Sequence, residues 1–469
     1  MPSALRCTAF LALVGASAAC TQNGESQPPK PAATPAAETT SAAAPATSTA
    51  PAASAAPAAA TAAEAPKAAP ADAKGTGLPK DLNVLVVTVD SLRADMPWLG
   101  YPRDIAPVLT NFAKTAVSYS RFYAVSSYTA MSLGGFLSGR YPSELERSGY
   151  FFGNYPDSVL MFPELLQKAG VRTLTAHAHF YFDQKAGFRQ GFDVYEIIPG
   201  LSVDNTTDKN VTSPQHVDLA KKILSEKANT GGRFFAWFHF LDPHDQYMPH
   251  DGIGPYGKST RDKYDAEVTF TDQHLGKLFE FVDSQEWGKR TAIIVSSDHG
   301  DAFGEHGMYR HGFELWDVLT HVPLIIRAPG IVPRQIDEPR SGVDLAPTIL
   351  EMFGQPKDPA MQGTSLVPEL YGKDPEKRDV IQDLPRTSDN DRRRAFVRGD
   401  WKLIAEGDDA GYRFFNLKDD PAEKVDLKKK NADEFEKIKA AYKDKSGTIK
   451  DVCPKMREKL KGKNKKKPC

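Results

Sequence analysis

Three short apolar runs in this chain end on side chains able to do chemistry. Asn83–Val89 (NVLVVTV) stops at Asp90, Ala292–Ser296 (AIIVS) runs into Asp298 and His299, and Phe234–Phe240 (FFAWFHF) leads to Asp242 and His244. Carboxylates and imidazoles are the oxygen and nitrogen donors that hold divalent cations. Packing gives a buried strand no reason to end on a carboxylate. Acids and imidazoles gathered along one edge therefore point to a metal centre. His239, inside FFAWFHF, reads as a packed residue.

Such residues meet only if a scaffold aligns the strand ends. The runs are nearly continuous and rich in β-branched or aromatic residues, as in strands buried on both faces, and Val171–Thr175 and Val322–Ile326 share the texture. Helical patterns over 105–116, 157–169 and 266–284 alternate with them. The alternation predicts an α/β fold, with a mostly parallel central sheet flanked by helices and functional groups at the strands' carboxyl ends. Further on, Arg394–Ile404 (RAFVRGDWKLI) and Tyr412–Leu417 (YRFFNL) alternate like antiparallel strands around a Gly-Asp turn, and 433–442 reads as a helix. The expected division is a catalytic domain over 79–372, a small α+β subdomain over 373–445 and a basic tail over 446–469.

The ends of the chain differ in composition from its body. Of residues 31–70, 21 are Ala and 7 are Pro, too poor in large apolar side chains to build a core. Residues 21–78 read as an extended spacer. Before it, Arg6, the apolar run Cys7–Val14 and small residues leading to Cys20 read as an export signal over 1–20 of lipoprotein type, with Cys20 lipidated. That implies an exported bacterial lipoprotein, anchored in the membrane by its N-terminal lipid and facing the periplasm or cell surface. The net charge of −1 conceals 17 Lys/Arg against 8 Asp/Glu in residues 421–469, so the rest of the chain is acidic. This balance gives no support to nucleic-acid binding. The four cysteines, Cys7, Cys20, Cys453 and Cys469, leave the body without a thiol; Cys453 and Cys469 could pair in an exported protein.

Seven segments in order, NVLVVTVDSLRAD, LSGRYPSE, GFDVYE, HFLDPHDQY, SSDHGDAFGEHGMYRHG, VDLAPTILEMFG and FVRGDWKLI, resemble the sulfatase family of the alkaline phosphatase superfamily across Leu82 to Leu427. The resemblance implies one divalent metal (Ca, Mn, Mg or Zn) on Asp90, Asp298, His299 and the nucleophile. It implies contact of His244 with sulfate or phosphate oxygens, and His311 as proton donor to the leaving oxygen. It places His177 and His179 where members bind the anion, and leaves His306 a loop histidine. Many members carry two successive acids where this chain has Asp90-Ser91; the lost carboxylate favours a smaller transition metal over calcium.

Sulfatases oxidise a Cys or Ser, ten residues before the Gly of the GRYP-like segment, to formylglycine. The modification needs Pro or Ala two positions later and Arg four positions later. Here the positions hold Thr129, Met131 and Leu133, so no formylglycine is expected. Related phosphodiesterases and phosphotransferases use an unmodified threonine. Thr129 is thus the expected nucleophile, at the start of a helix toward Leu137, with Ser126 and Ser127 as alternatives. Arg93 and Arg140 are expected to pair with carboxylates inside the domain. The implied activity is metal-dependent hydrolysis, or transfer, of sulfuric, phosphoric or phosphonic esters carried by a small molecule, glycan or lipid head group. The alternative is a catalytically weak, surface-tethered binding protein that retains the fold. A Ser/His/Asp hydrolase is disfavoured, because no GxSxG elbow occurs.

Overall fold

The computed structural model describes residues 78–455 apart from 151, 184–185 and 202–209, and these belong to one compact unit. The signal, the spacer, Cys20, Cys469 and the end of the basic tail lie outside the described residues. Cys453 is disulfide-bonded, and the other three cysteines all fall outside that range.

The central sheet is built from β1 (Asn83–Val89), β2 (Val117–Tyr123), β3 (Arg172–His177), β4 (Val194–Ile197), β5 (Phe234–Phe240) and β6 (Thr291–Ser296). A hairpin of β7 (Ala302–Phe303) and β8 (Tyr309–Arg310) follows, and β9 (His321–Arg327), β10 (Arg334–Ile336) and β11 (Arg340–Ser341) complete the sheet. Its strand order is β10-β2-β9-β6-β1-β5-β3-β4, with β11 also on β2. All pairings are parallel except those of β9 with β2 and β6. Every residue of β1 and β5 is buried, as expected of strands covered by helices on both faces. β2 (VSYSRFY) is not evident in the sequence because Ser and Arg interrupt its apolar run.

Two helices begin five or six residues from where the sequence places them, each for a local reason. The helix expected from residue 266 begins at Thr260, where Ser259 and Asp262 form a reciprocal cap, with Ser259 Oγ accepting from Asp262 N at 3.1 Å. Its charged first turn carries little apolar periodicity. The helix expected from 157 begins at Phe162, with Pro163 in the first turn, where a missing N–H costs nothing.

β12 (Val380–Leu384), β13 (Arg393–Arg398), β14 (Trp401–Glu406) and β15 (Gly411–Asn416) form the expected antiparallel sheet, of four strands. Its two faces separate by strand alternation. Leu384, Ala395, Ile404 and Phe415 join the apolar cluster that contains Val84 and Trp237. Phe396, Leu403 and Phe414 pack instead with Phe435, Ile438 and Tyr442 of the helix Ala432–Ser446. One core therefore runs across the boundary expected near residue 372.

Candidate active site

Strand register places the chemistry on one face. Thr88 of β1 pairs with His239 of β5 and with Ser296 of β6. Side chains two residues apart share a face, so Asp90 and Asp298 emerge together just beyond the two strand ends. This is the face that carries Val84, Val86, Phe235 and Trp237, packed against the helix Thr129–Ser138. That helix is apolar on all sides, and Thr129, its first residue, is the one residue of ten that is not buried. Its free N-terminal amides and dipole favour an anion in front of Thr129.

Around Thr129 the groups converge. Thr129 Oγ1 lies 3.1 Å from His299 Nε2 and 3.4 Å from Asp90 Oδ2. His299 Nδ1 donates to the Gly300 carbonyl at 2.9 Å, so a neutral His299 presents a bare Nε2 to the cluster. That nitrogen is 3.5 Å from Asp90 Oδ1 and 3.4 Å from Asp298 Oδ2. His239 Nε2 sits 3.3 Å from Asp90 Oδ2 and 4.0 Å from Asp298 Oδ2. The reading of His239 as merely packed is corrected here: it is buried, yet its ring reaches up from the layer beneath into the acid pair. The available signal was alternation, since His239 has the parity of Phe235 and Trp237 on β5. Its Nδ1 lies 2.8 Å from Thr88 Oγ1, which accepts from Trp237 Nε1 at 2.9 Å, and this fixes the ring.

The cluster fits a divalent cation. Asp90, His239 and Asp298 offer ligand atoms all within 4.8 Å of one another, and Asp298 Oδ2 is buried without a hydrogen-bond partner. Among the described residues no lysine or arginine hydrogen-bonds to either carboxylate; the donors to Asp90 are Ser91 Oγ at 3.0 Å, Thr129 and His239. Burial drives the Asp298 carboxyl above its usual range, and the neighbouring Asp90 charge adds to the shift. Burial works the same way on Asp90, but His244 and the hydrogen bond from His239 outweigh it and hold that carboxyl well below. Burial also lowers His299 to about 3, keeping it a neutral donor. With two carboxylates, two imidazoles and a hydroxyl, the donor set suits a transition metal as well as a harder ion.

A row of imidazoles extends outward. The His311 ring lies 4.2 Å from His299 and 5.1 Å from His244, and His244 lies 6.3 Å from His179. Burial disfavours charge on His311, but its Nδ1 contact with Asp301 Oδ1 at 3.3 Å and the Asp301 charge lift its pKa above the ordinary value. Tyr247 Oη also donates to Asp301, a residue that the sequence reading passed over, and Asp301 is fully buried. His179 is lowered to about 3 by burial and by His244.

Two sequence expectations, for His177 and Asp242, fall outside this arrangement. His177 is fully buried, stacks on Phe182 at 4.1 Å and contacts Thr175 Oγ1 at 3.1 Å, so it touches no substrate space. Being in register with His239 puts it in the layer below the strand ends. Asp242 does not join the acids; its carboxylate accepts from Thr212 N and from Ser213 N, capping the helix Ser213–Ser225. His306 stacks on Trp316 at 3.7 Å. Arg93 pairs with Asp95 and Glu305, and Arg140 donates to the Glu144 carbonyl.

Residues 82–355 match the family model described as Sulfatase, and 304–451 match the one described as N-sulphoglucosamine sulphohydrolase, C-terminal. A choline-sulfatase of Rhizobium meliloti (strain 1021) is 24% identical over 431 residues, covering 75% of this chain and 83% of its own. An ulvan-active sulfatase of Formosa agariphila is 25% identical over 344 residues, covering 64% and 66%. Among solved structures, a phosphonate monoester hydrolase from Silicibacter pomeroyi superposes with a TM-score of 0.64 at 20% identity, covering 79% of this chain and 96% of its own.

Proposed function

The chain belongs to the sulfatase family of the alkaline phosphatase superfamily, and on that premise we propose that it hydrolyses sulfuric, phosphoric or phosphonic esters with unmodified Thr129 as nucleophile. One observation carries the reading. Thr129, the accessible residue of an otherwise buried helix, stands over two buried carboxylates and the bare nitrogen of His299. Asp90, Asp298, His299 and His239 would hold the divalent ion, with Thr129 Oγ1 beside them. When bound, the ion neutralises the carboxylates and favours the ionised hydroxyl.

Thr129 Oγ1 attacks sulfur or phosphorus in line with the departing oxygen. His244 and His179 bind the non-bridging oxygens. His311, whose protonated form Asp301 stabilises, gives its proton to the leaving oxygen. The neutral imidazole then takes a proton from the water that releases the covalent adduct, which restores both groups.

The names of the relatives support an ester of sulfate or of phosphonate. Without an aldehyde hydrate to eliminate the bound group, the balance moves toward phosphorus esters. The test is a panel of aryl sulfate, phosphomonoester, phosphodiester and phosphonate monoester substrates given to wild type and Thr129→Ala. Turnover of at least one by wild type, abolished in the variant with metal content intact, is expected. Equal activity in both proteins overturns the nucleophile; no turnover of any favours a binding role. Lipidation of Cys20 would place this chemistry at a membrane surface, and Cys20→Ala should then move the protein from the membrane to the soluble fraction.

A further inference from the structure

The helix Thr260–Ser284 carries three buried acids, Asp265, Glu267 and Asp272. Asp265 meets Arg103 and Arg261, and Asp272 accepts from Val108 N and Leu109 N, so both tie elements of the fold together. Glu267 instead meets the loop 241–259, which joins β5 to this helix and carries His244 and Tyr247. Its Oε1 accepts from Met248 N at 2.5 Å and lies 3.0 Å from His250 Nε2. Burial drives that carboxyl up to about 7, against the hydrogen bond from His250, so the position is costly to the fold.

Glu267 works within a stripe. Tyr264, Glu267 and Phe270 follow one another at three-residue spacing and so share a helix face. The Tyr264 ring lies edge-on to Tyr247 at 5.6 Å, and the Phe270 ring stacks on His250 at 3.7 Å. The loop is thus held at Tyr247, Met248 and His250 in turn. The two ring contacts supply area, whereas the Glu267 hydrogen bond is directional and fixes where the backbone beside Tyr247 runs. From there the contacts continue into the site: Tyr247 Oη donates to Asp301 Oδ2, and Asp301 Oδ1 lies 3.3 Å from His311 Nδ1.

We infer that Glu267 is a positioning residue for the proton donor. By holding Met248 N it sets the place of Tyr247, whose phenol turns Asp301 so that the second carboxylate oxygen faces His311. The inference rests on the hydrolase reading, in which His311 protonates the leaving oxygen, and extends that task to a helix residue remote from the reacting groups. Among the described residues Glu267 pairs with Met248 and His250 and not with a metal ligand, so metal affinity does not depend on it.

The test uses the metal-loaded full chain with p-nitrophenyl and phenyl esters of whichever transferred group the substrate panel finds active. The two are alike in shape, but p-nitrophenolate departs readily as the anion and phenolate needs a proton. Glu267→Leu should lower kcat/KM for the phenyl ester at least about tenfold, a part of what proton transfer supplies, and leave the p-nitrophenyl ester and metal affinity nearly unchanged. Glu267→Ala, smaller and open to water, takes its place should Glu267→Leu not fold. Glu267→Gln keeps an oxygen for Met248 N and should recover most of the loss. Tyr247→Phe, which leaves the helix untouched, should show the same selective loss, and the double variant no more than the larger single one. Equal losses on the two esters, or none on either, in the Glu267 or the Tyr247 variant overturn the positioning role while the hydrolase stands. Failure of wild type to turn over any ester overturns the hydrolase reading, and this inference with it.

Discussion

The protein buries charge in two different ways. At the junction with the antiparallel sheet, Lys402 is fully buried, with Nζ 2.6 Å from Asp317 Oδ1 and 2.8 Å from Glu423 Oε1. Arg340 and Glu369, also buried, pair at 2.5 Å. Each of these clusters contains a countercharge among its own side chains. At the strand ends, Asp90 and Asp298 are equally buried, yet their neighbours are imidazoles and hydroxyls, and Asp298 Oδ2 has no partner. Burying like charges without compensation is too costly to serve the fold alone. The contrast separates a junction that holds the chain together from a centre that takes its countercharge from solution.

The largest expected effect is on chemistry. Thr129→Ala should lower turnover about a thousandfold or more, measured on the active ester, with metal content by mass spectrometry unchanged. Next, Asp298→Asn should weaken metal binding at least about a hundredfold by competition with a chelator. In metal-free protein the same substitution should raise Tm, because it removes one of two facing carboxylates. Lys402→Met should do the opposite at the other cluster, costing about 3–5 kcal/mol in denaturant unfolding by stranding two acids, with metal affinity untouched. Equal and same-signed effects at both clusters would erase the distinction. His239→Gln should weaken metal binding about 10–100-fold while Thr129 stays in place.

The smallest effect is on pH dependence. His179 and His299 are held at about 3 in the folded protein, below the ordinary imidazole value of 6.5. The unfolded chain therefore takes up their protons first. Stability from these two groups is present above 6.5 and is lost as pH falls from there toward 3. Unfolding of metal-free protein followed between pH 7 and 5 should show this decline, and a His179→Phe variant should show less of it.

Much of the centre is legible in the sequence, because strand ends announce themselves. Asp90, Asp298 and His299 each follow an uninterrupted apolar run, and Thr129 opens a helix whose other residues are all buried. What stays hidden depends on what each side chain meets across the face it shares with its neighbours. His177 and His239 occupy paired positions on adjacent strands, yet one stacks into the core and the other reaches the acids. Asp301 and Tyr247 belong to separate loops that meet only in the fold. Among the strands, β12 (VIQDL) carries Gln382 and Asp383 in its middle, both buried, and no apolar run marks it.

Peptide mapping of enzyme quenched in acid during steady turnover reads the nucleophile itself. Resting protein should carry an unmodified threonine at 129 and, during turnover, one sulfo or phospho adduct of about 80 Da on the peptide that carries it. An adduct on Ser126, Ser127 or any other residue, or turnover with no adduct in wild type and full activity in Thr129→Ala, would contradict this assignment.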